Sequence, residues 1–225
     1  MSEEKQEEYE SGGVIAVKGK RASIKCLNII GTIEGHNLAD NTCKTTKYEH
    51  VLPELVRIEE DDKIEGLLIL LNTVGGDVEA GLAIAEMISG LSKPKVSLVL
   101  GGGHSIGVPL AVSADISFIA RSATMTVHPM RTSGVVIGVS QTFQYMMRMQ
   151  DRIIDFIDRH SKIDFEAYKK LMLATDEIAN DVGTVLFGEK AVECGLIDNV
   201  GTLSDALCAL YKLIDDKKID KNEEK

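Results

Sequence analysis

The chain has 225 residues, 44% of them hydrophobic and 27% charged, with a formal net charge of −10 and a pI near 5.0, a length that suits one domain with a substantial core and a single active site. That acidity leaves no general basic surface for phosphate backbones and argues against nucleic acid as a partner. The apolar stretches fall short of the ~18–20 residues that cross a bilayer, so no stable membrane insertion is expected, and the polar opening MSEEKQEEYESGG lacks the basic flank and apolar run of a secretory signal, which points to a cytoplasmic location.

Residues 1–13 and 216–225 are rich in charge and poor in large apolar groups, so both are expected to be solvated tails around a domain spanning 14–215. Within that domain β-rich runs alternate with helical patterns: IKCLNIIGTI, KYEHVLPELVRIEE, GLLILL, DVEAGLAIAEMISGL and KVSLVL. The alternation predicts crossover units on a largely parallel sheet, an α/β fold. GLLILL is apolar throughout and is expected at the centre, covered on both faces. A helix over 77–91 opens on Asp77 as N-cap and sets Val78, Leu82, Ala85 and Ile88 on one face, with Gly90 and Pro94 suited to its end. Residues 140–175 form a longer helical stretch whose methionines and aromatics read as packing. The closing segment GEKAVECGLIDNVGTLSDALCALYKL reads as helix, short strand, helix. Cys26, Cys43, Cys194 and Cys208 form no C-x-x-C pair, so neither a metal site nor a redox motif is indicated, and no cofactor is expected.

Residues 103–107 read G-H-S-I-G, between the strand KVSLVL and the apolar segment IGVPLAVSA. A G-x-S-x-G turn from strand to helix exposes a serine hydroxyl beside backbone N–H groups that can stabilise an oxyanion, which makes Ser105 a candidate nucleophile; an ordinary glycine-serine turn is the plain alternative. Serine needs a base, and two histidines follow it in the chain, His128 and His160. His128 ends the β-like run TMTV before Pro129, at a strand terminus near the elbow, so it is the expected general base. His160, in DRHSK at a helix end, reads as a solvated partner of the helix C-terminus. A second glycine element, V-G-G-D, closes the central strand and opens the helix at Asp77, a place from which a backbone N–H can point into a cleft.

The run Gly75-Gly76-Asp77-Val78-Glu79-Ala80-Gly81-Leu82, the serine loop 101–110, the T-V-H-P stretch at His128 and Pro129, and AVECGLID at 191–198 resemble, in order and approximate spacing, the proteolytic subunits of Clp proteases. The resemblance spans about residues 24–200, and within the family it is nearest to the divergent translocation-enhancing (TepA) branch. It implies a crotonase-like ClpP fold with repeated β-β-α units and a helical handle at about 140–175. It also implies a serine endopeptidase in which Ser105 attacks, His128 takes the proton, and the N–H groups of Gly76 and Ile106 hold the oxyanion. Counting back from AVECGLID, the position of the family's aspartate holds Gly183; Asp181 is the expected acid, with Asp176 as the alternative. The loop GGGHS departs from the family's small-residue pattern, and the sequence leaves open whether His104 packs, hydrogen-bonds or perturbs Ser105.

The implied partners are peptides or unfolded proteins, further copies of the chain in heptameric rings stacked in pairs, and a separate ATPase unfoldase, since G-x-x-x-x-G-K-[ST] is absent here. An α/β-hydrolase esterase would need its histidine late, after the acid, which argues against that class. A crotonase-type acyl-CoA enzyme would place acidic residues where Ser105 stands. A catalytically silent ring serving as an adaptor in protein translocation is the alternative motivated by the missing in-register aspartate.

Overall fold

The computed structural model describes residues 14–18, 21–37, 39, 42–176 and 182–223. The expected N-terminal tail, 1–13, lies outside them. In chain order the strands are β1 Val14–Lys18, β2 Ser23–Glu34, β3 Thr45–Lys47, β4 Gly66–Gly76, β5 Lys95–Gly103, β6 Ile116–Ile119, β7 Thr124–Val127, β8 Thr184–Phe187 and β9 Asn199–Val200. The helices are α1 Tyr48–Glu60, α2 Val78–Gly90, α3 Gly107–Val112, α4 Val139–His160, α5 Phe165–Met172, α6 Gly188–Glu193 and α7 Leu203–Glu223.

The sheet runs β1-β2-β4-β5-β6-β9, with β1 antiparallel at one edge and the other neighbours on this path parallel. This is the ClpP-like α/β architecture expected from the alternating pattern. The apolar GLLILL run is central because both its faces are covered. Leu67, Ile69 and Leu71 pack with Leu55 and Ile58 of α1 and with Ile84 and Ile88 of α2. Leu68 turns the other way and joins Ile24, Val96, Leu98 and Phe118 under Ala206, Leu210 and Ile214 of α7. A side-chain period of two thus feeds both cores from one strand.

Beyond Leu71 the β4–β5 register shifts, and β5 passes on to meet β7 at Gly102 and Thr124. β7 pairs antiparallel with β8. The C-terminal ends of β4, β5 and β7 therefore converge, and a crevice at the carboxyl ends of strands is where open α/β sheets place their chemistry. The helical stretch expected at 140–175 is the pair α4 and α5.

The boundary expected at 215 falls inside α7. Its buried face at Ala206, Leu210 and Ile214 anchors the helix, and the polar turns that follow continue its hydrogen-bond ladder to Glu223. Lys217 donates to the Ser92 carbonyl, and Lys218 pairs with Glu65.

Candidate active site

Ser105 follows the end of β5 and precedes α3 by two residues, with φ of +57°, the one positive φ outside glycine among the described residues. A serine in the left-handed region is held there only by its surroundings. Its N–H donates to the Thr126 carbonyl at 2.8 Å, the His104 N–H donates to the Thr73 carbonyl at 3.2 Å, and the first amide of α3, Gly107, donates to the His104 carbonyl at 2.8 Å. Gly75 closes the turn from outside: with φ of +89°, a Cβ there would fall 2.7 Å from Ser105 Cβ and 2.8 Å from the His104 carbonyl oxygen. The GG pair thus leaves the space in which the serine elbow sits.

The same loop shapes the start of α2. Thr73 Oγ1 donates to the Gly31 carbonyl at 2.6 Å and accepts from the Gly75 N–H at 3.0 Å, while the Asp77 N–H donates to the Ile33 carbonyl at 2.9 Å. Asp77 Oδ1 accepts from the Ala80 N–H at 2.8 Å, the N-cap expected from the sequence. Gly76 lies between these tethers, at the strand-to-helix turn.

Ser105, Ile106, Gly76 and His128 line one cavity of about 240 Å³, together with Val74 and Val78 on one side and Met130, Arg131, Gln150, Ile153, Tyr168 and Met172 on the other. The far wall mixes apolar and polar side chains, Met130 and Arg131 from the segment after β7 and the rest from α4 and α5, whose methionines and aromatics were read as packing. Gln150 Oε1 fixes it to the chain after His128 by accepting from the Met130 N–H at 2.9 Å. Burial pushes the Tyr168 phenol far above its ordinary pKa, so that group stays a neutral hydroxyl.

His128 stands directly after β7, as the strand-end reading expected. Its Nδ1 is 2.7 Å from the Pro129 carbonyl oxygen. A carbonyl accepts and cannot donate, so Nδ1 carries the proton and the neutral ring keeps its lone pair on Nε2. The backbone of Gly183 lies against this histidine: with φ of +132°, a Cβ there would fall 2.3 Å from the Val127 carbonyl oxygen and 2.9 Å from His128 Cβ. The Gly183 N–H donates to the Ala174 carbonyl at 2.7 Å. Asp181 lies outside the described residues. Asp176 is exposed and is not among the residues lining the cavity.

His160 sits elsewhere, on α4. Its ring stacks on Phe156 with centroids 4.1 Å apart, and Nδ1–H donates to the Phe156 carbonyl at 2.7 Å. The expected solvated histidine is instead half-packed on its own helix, because the i−4 aromatic offers its ring a face. Sequence reading did not find Thr126, Thr73 or the Pro129 carbonyl, whose parts in the site are played largely by backbone groups and a strand hydroxyl. Among the described residues no group of three or more His, Cys, Asp or Glu gathers to hold a metal, and no helix is long and apolar enough to cross a membrane.

Residues 26–204 match the family model described as Clp protease. The chain is 55% identical over 196 residues to the translocation-enhancing protein TepA of Halalkalibacterium halodurans, covering 87% of this chain and 77% of that protein. It is 26% identical over 156 residues to the ATP-dependent Clp protease proteolytic subunit 1 of Protochlamydia amoebophila, covering 67% and 72% of the two chains. A proteolytic subunit of Leuconostoc citreum matches at 26% over 159 residues, covering 68% of this chain and 76% of the other. With the glycine loop, the serine elbow and His128 all inside the matched span, the chain belongs to the Clp protease family.

Proposed function

We propose that this protein is a cytoplasmic serine endopeptidase that cleaves peptides or unfolded polypeptides, with Ser105 as nucleophile, His128 as general base and Asp181 as the acid. The observation that carries the reading is the left-handed Ser105 elbow sharing one cavity with a histidine whose Nδ1 is committed to a carbonyl. With the proton on Nδ1, Nε2 is free to take the hydroxyl proton as Ser105 Oγ bonds to the substrate carbonyl carbon. The oxyanion so formed is held by the N–H groups of Gly76 and Ile106. His128 then returns its proton to the leaving amine as the C–N bond breaks, and water, deprotonated by the same imidazole, hydrolyses the acyl-enzyme. The Pro129 carbonyl supplies the orientation and tautomer control that an aspartate gives in a full triad, and the role assigned to Asp181 is to add negative charge that favours the imidazolium.

Assembly into stacked rings is part of the same reading. Val135 is 91% exposed and Ile137 86% exposed, just ahead of α4, and Val139 and Phe143 extend the apolar run onto the helix. So much adjoining apolar surface is characteristic of a surface that meets another chain. Relatives named as subunits of ATP-dependent proteases support a separate ATPase that feeds the chamber, and the relative named for translocation supports a link to protein export.

The second reading is a ring that does not hydrolyse and serves as an adaptor in translocation, favoured by Gly183 standing where the family's aspartate is expected. Fluorophosphonate labelling of the assembled protein, with mass spectrometry of the labelled peptide and Ser105→Ala as control, separates the two. Labelling confined to Ser105 supports the peptidase; an assembled protein that resists the reagent is the adaptor.

A further inference from the structure

His104, the residue before the elbow serine, brings a second imidazole to the site. It is half-buried, with Nδ1 3.1 Å from the Thr126 amide nitrogen and 2.9 Å from Thr126 Oγ1. An amide N–H can only donate, so Nδ1 accepts and the neutral ring holds its proton on Nε2, the tautomer opposite to that of His128. Thr126 also accepts, through its carbonyl, the Ser105 N–H at 2.8 Å. The elbow and β7 are therefore joined by two rungs of a ladder, in one of which a side-chain nitrogen stands where a strand would offer a carbonyl. Two residues past Thr126, the same segment carries His128. Gly102 makes room for the ring, since a Cβ there would lie 2.4 Å from Nε2.

We propose that His104 is a positioning residue, an imidazole latch that holds the Ser105 elbow in register with the strand bearing His128, and that protonation of His104 opens the latch. The inference rests on the roles given above to Ser105 and His128. A proton on Nδ1 would turn the acceptor into a donor facing the Thr126 N–H, and the rung would be lost. Burial, and after it the charge of His128, hold the His104 pKa below the ordinary histidine value, so the latched form prevails at neutral pH and opens as pH falls below the usual histidine range. The groups that meet the ring are Thr126 of β7 and Gly102 of β5, neither ionisable, while Thr73 of β4 accepts the His104 backbone N–H; the charge that bears on the ring is that of His128. A neutral His104 also sets no positive charge against the imidazolium that His128 becomes during attack.

The test is the rate of fluorophosphonate labelling at Ser105, measured on assembled wild type, His104→Ala and His104→Asn between about pH 5 and 8. Asn Oδ1 can stand near the Nδ1 position and accepts without titrating. His104→Ala should slow labelling about tenfold at neutral pH, the rate equivalent of one buried hydrogen bond lost from the organised site. His104→Asn should return most of that rate, and its acid limb should fall with one proton where wild type falls with two. Wild-type rates in His104→Ala, or a wild-type acid limb in His104→Asn, would overturn the latch while leaving Ser105 and His128 in place. Should the alanine variant fail to assemble, the comparison of the asparagine variant with wild type decides the matter alone. No labelling of wild type at any pH would remove the peptidase reading itself and the latch with it.

Discussion

Gly183 shows what one backbone position imposes on the chemistry. A side chain there would meet the Val127 carbonyl at 2.3 Å in a left-handed backbone with φ of +132°, so neither alanine nor aspartate fits without moving the segment that carries His128. Gly183→Ala should lower stability by about 2–4 kcal/mol, read from the urea midpoint, and should depress Ser105 labelling as well. Gly183→Asp should not improve the site. Asp181→Asn should cost about tenfold in turnover, well short of the ~10⁴ lost where an aspartate alone fixes the imidazole, because the Pro129 carbonyl already holds the tautomer; a loss near ~10⁴ in peptide hydrolysis would show that the carbonyl does not substitute. At this scale the sequence reveals side-chain chemistry and hides backbone chemistry. Ser105 and His128 were read from motifs, the N–H groups of Gly76 and Ile106 came with the family resemblance, and the four residues line one cavity. The carbonyl of Pro129 could not be named, since every residue has a carbonyl and only the fold says where it points.

Among the elements, α2 and α4 are tied across their exposed sides. Arg152 grips Glu79 with two bonds of 2.9 and 3.0 Å, and Arg159 reaches Glu86 at 3.4 Å. The bond from Arg152 holds the Glu79 carboxyl below its ordinary pKa, outweighing the opposing effect of burial. Because these partners are half-exposed, Arg152→Ala should change global stability by less than about 1 kcal/mol. Its effect should be local, as faster amide exchange in α4, and should fade in high salt.

Asp198 makes a tighter junction, accepting from Ser117 N–H and Oγ at 3.0 and 2.9 Å and pairing with Lys162 at 2.9 Å. Burial alone would raise its pKa, but the bonds from Lys162 and Ser117 outweigh burial and hold it below the ordinary aspartate value. The folded state therefore favours the carboxylate, and the contribution is complete above the unfolded value near ~4 and lost as pH falls through the lower folded value. Asp198→Asn should lower the urea midpoint at neutral pH, and its gap from wild type should close under acid. The strand and helix pattern was legible at this scale because the periodicities of two and 3.6 are written in apolar residues. The reach of α7 past 215 was not, since its last turns are polar and continue by hydrogen bonding from an anchored face.

For the whole molecule, the exposed run ahead of α4 predicts association. Ile137→Asp should reduce the assembled species in sedimentation velocity while leaving the secondary structure of each chain intact by circular dichroism, and an unchanged sedimentation profile would place the contact elsewhere. The overall architecture could be read in advance because one strand, GLLILL, must be covered on both sides, and that requirement fixes layers before any detail is known. Partner choice is not written in that pattern, because it depends on surfaces that meet another chain.

The covering of that second face has a consequence for synthesis. Ile24, Leu68, Val96, Leu98 and Phe118 belong to strands made early, while the residues that roof them, Ala206, Leu210 and Ile214, lie in the last described helix. A ribosome will have released all of those strands before their lid emerges, so the nascent chain carries a bare apolar floor until α7 arrives. Folding of this layer must wait until α7 has been made or borrow a chaperone's surface in the interval, and a premature stop before residue 203 would leave a chain that goes to aggregation or to degradation before it could join any assembly.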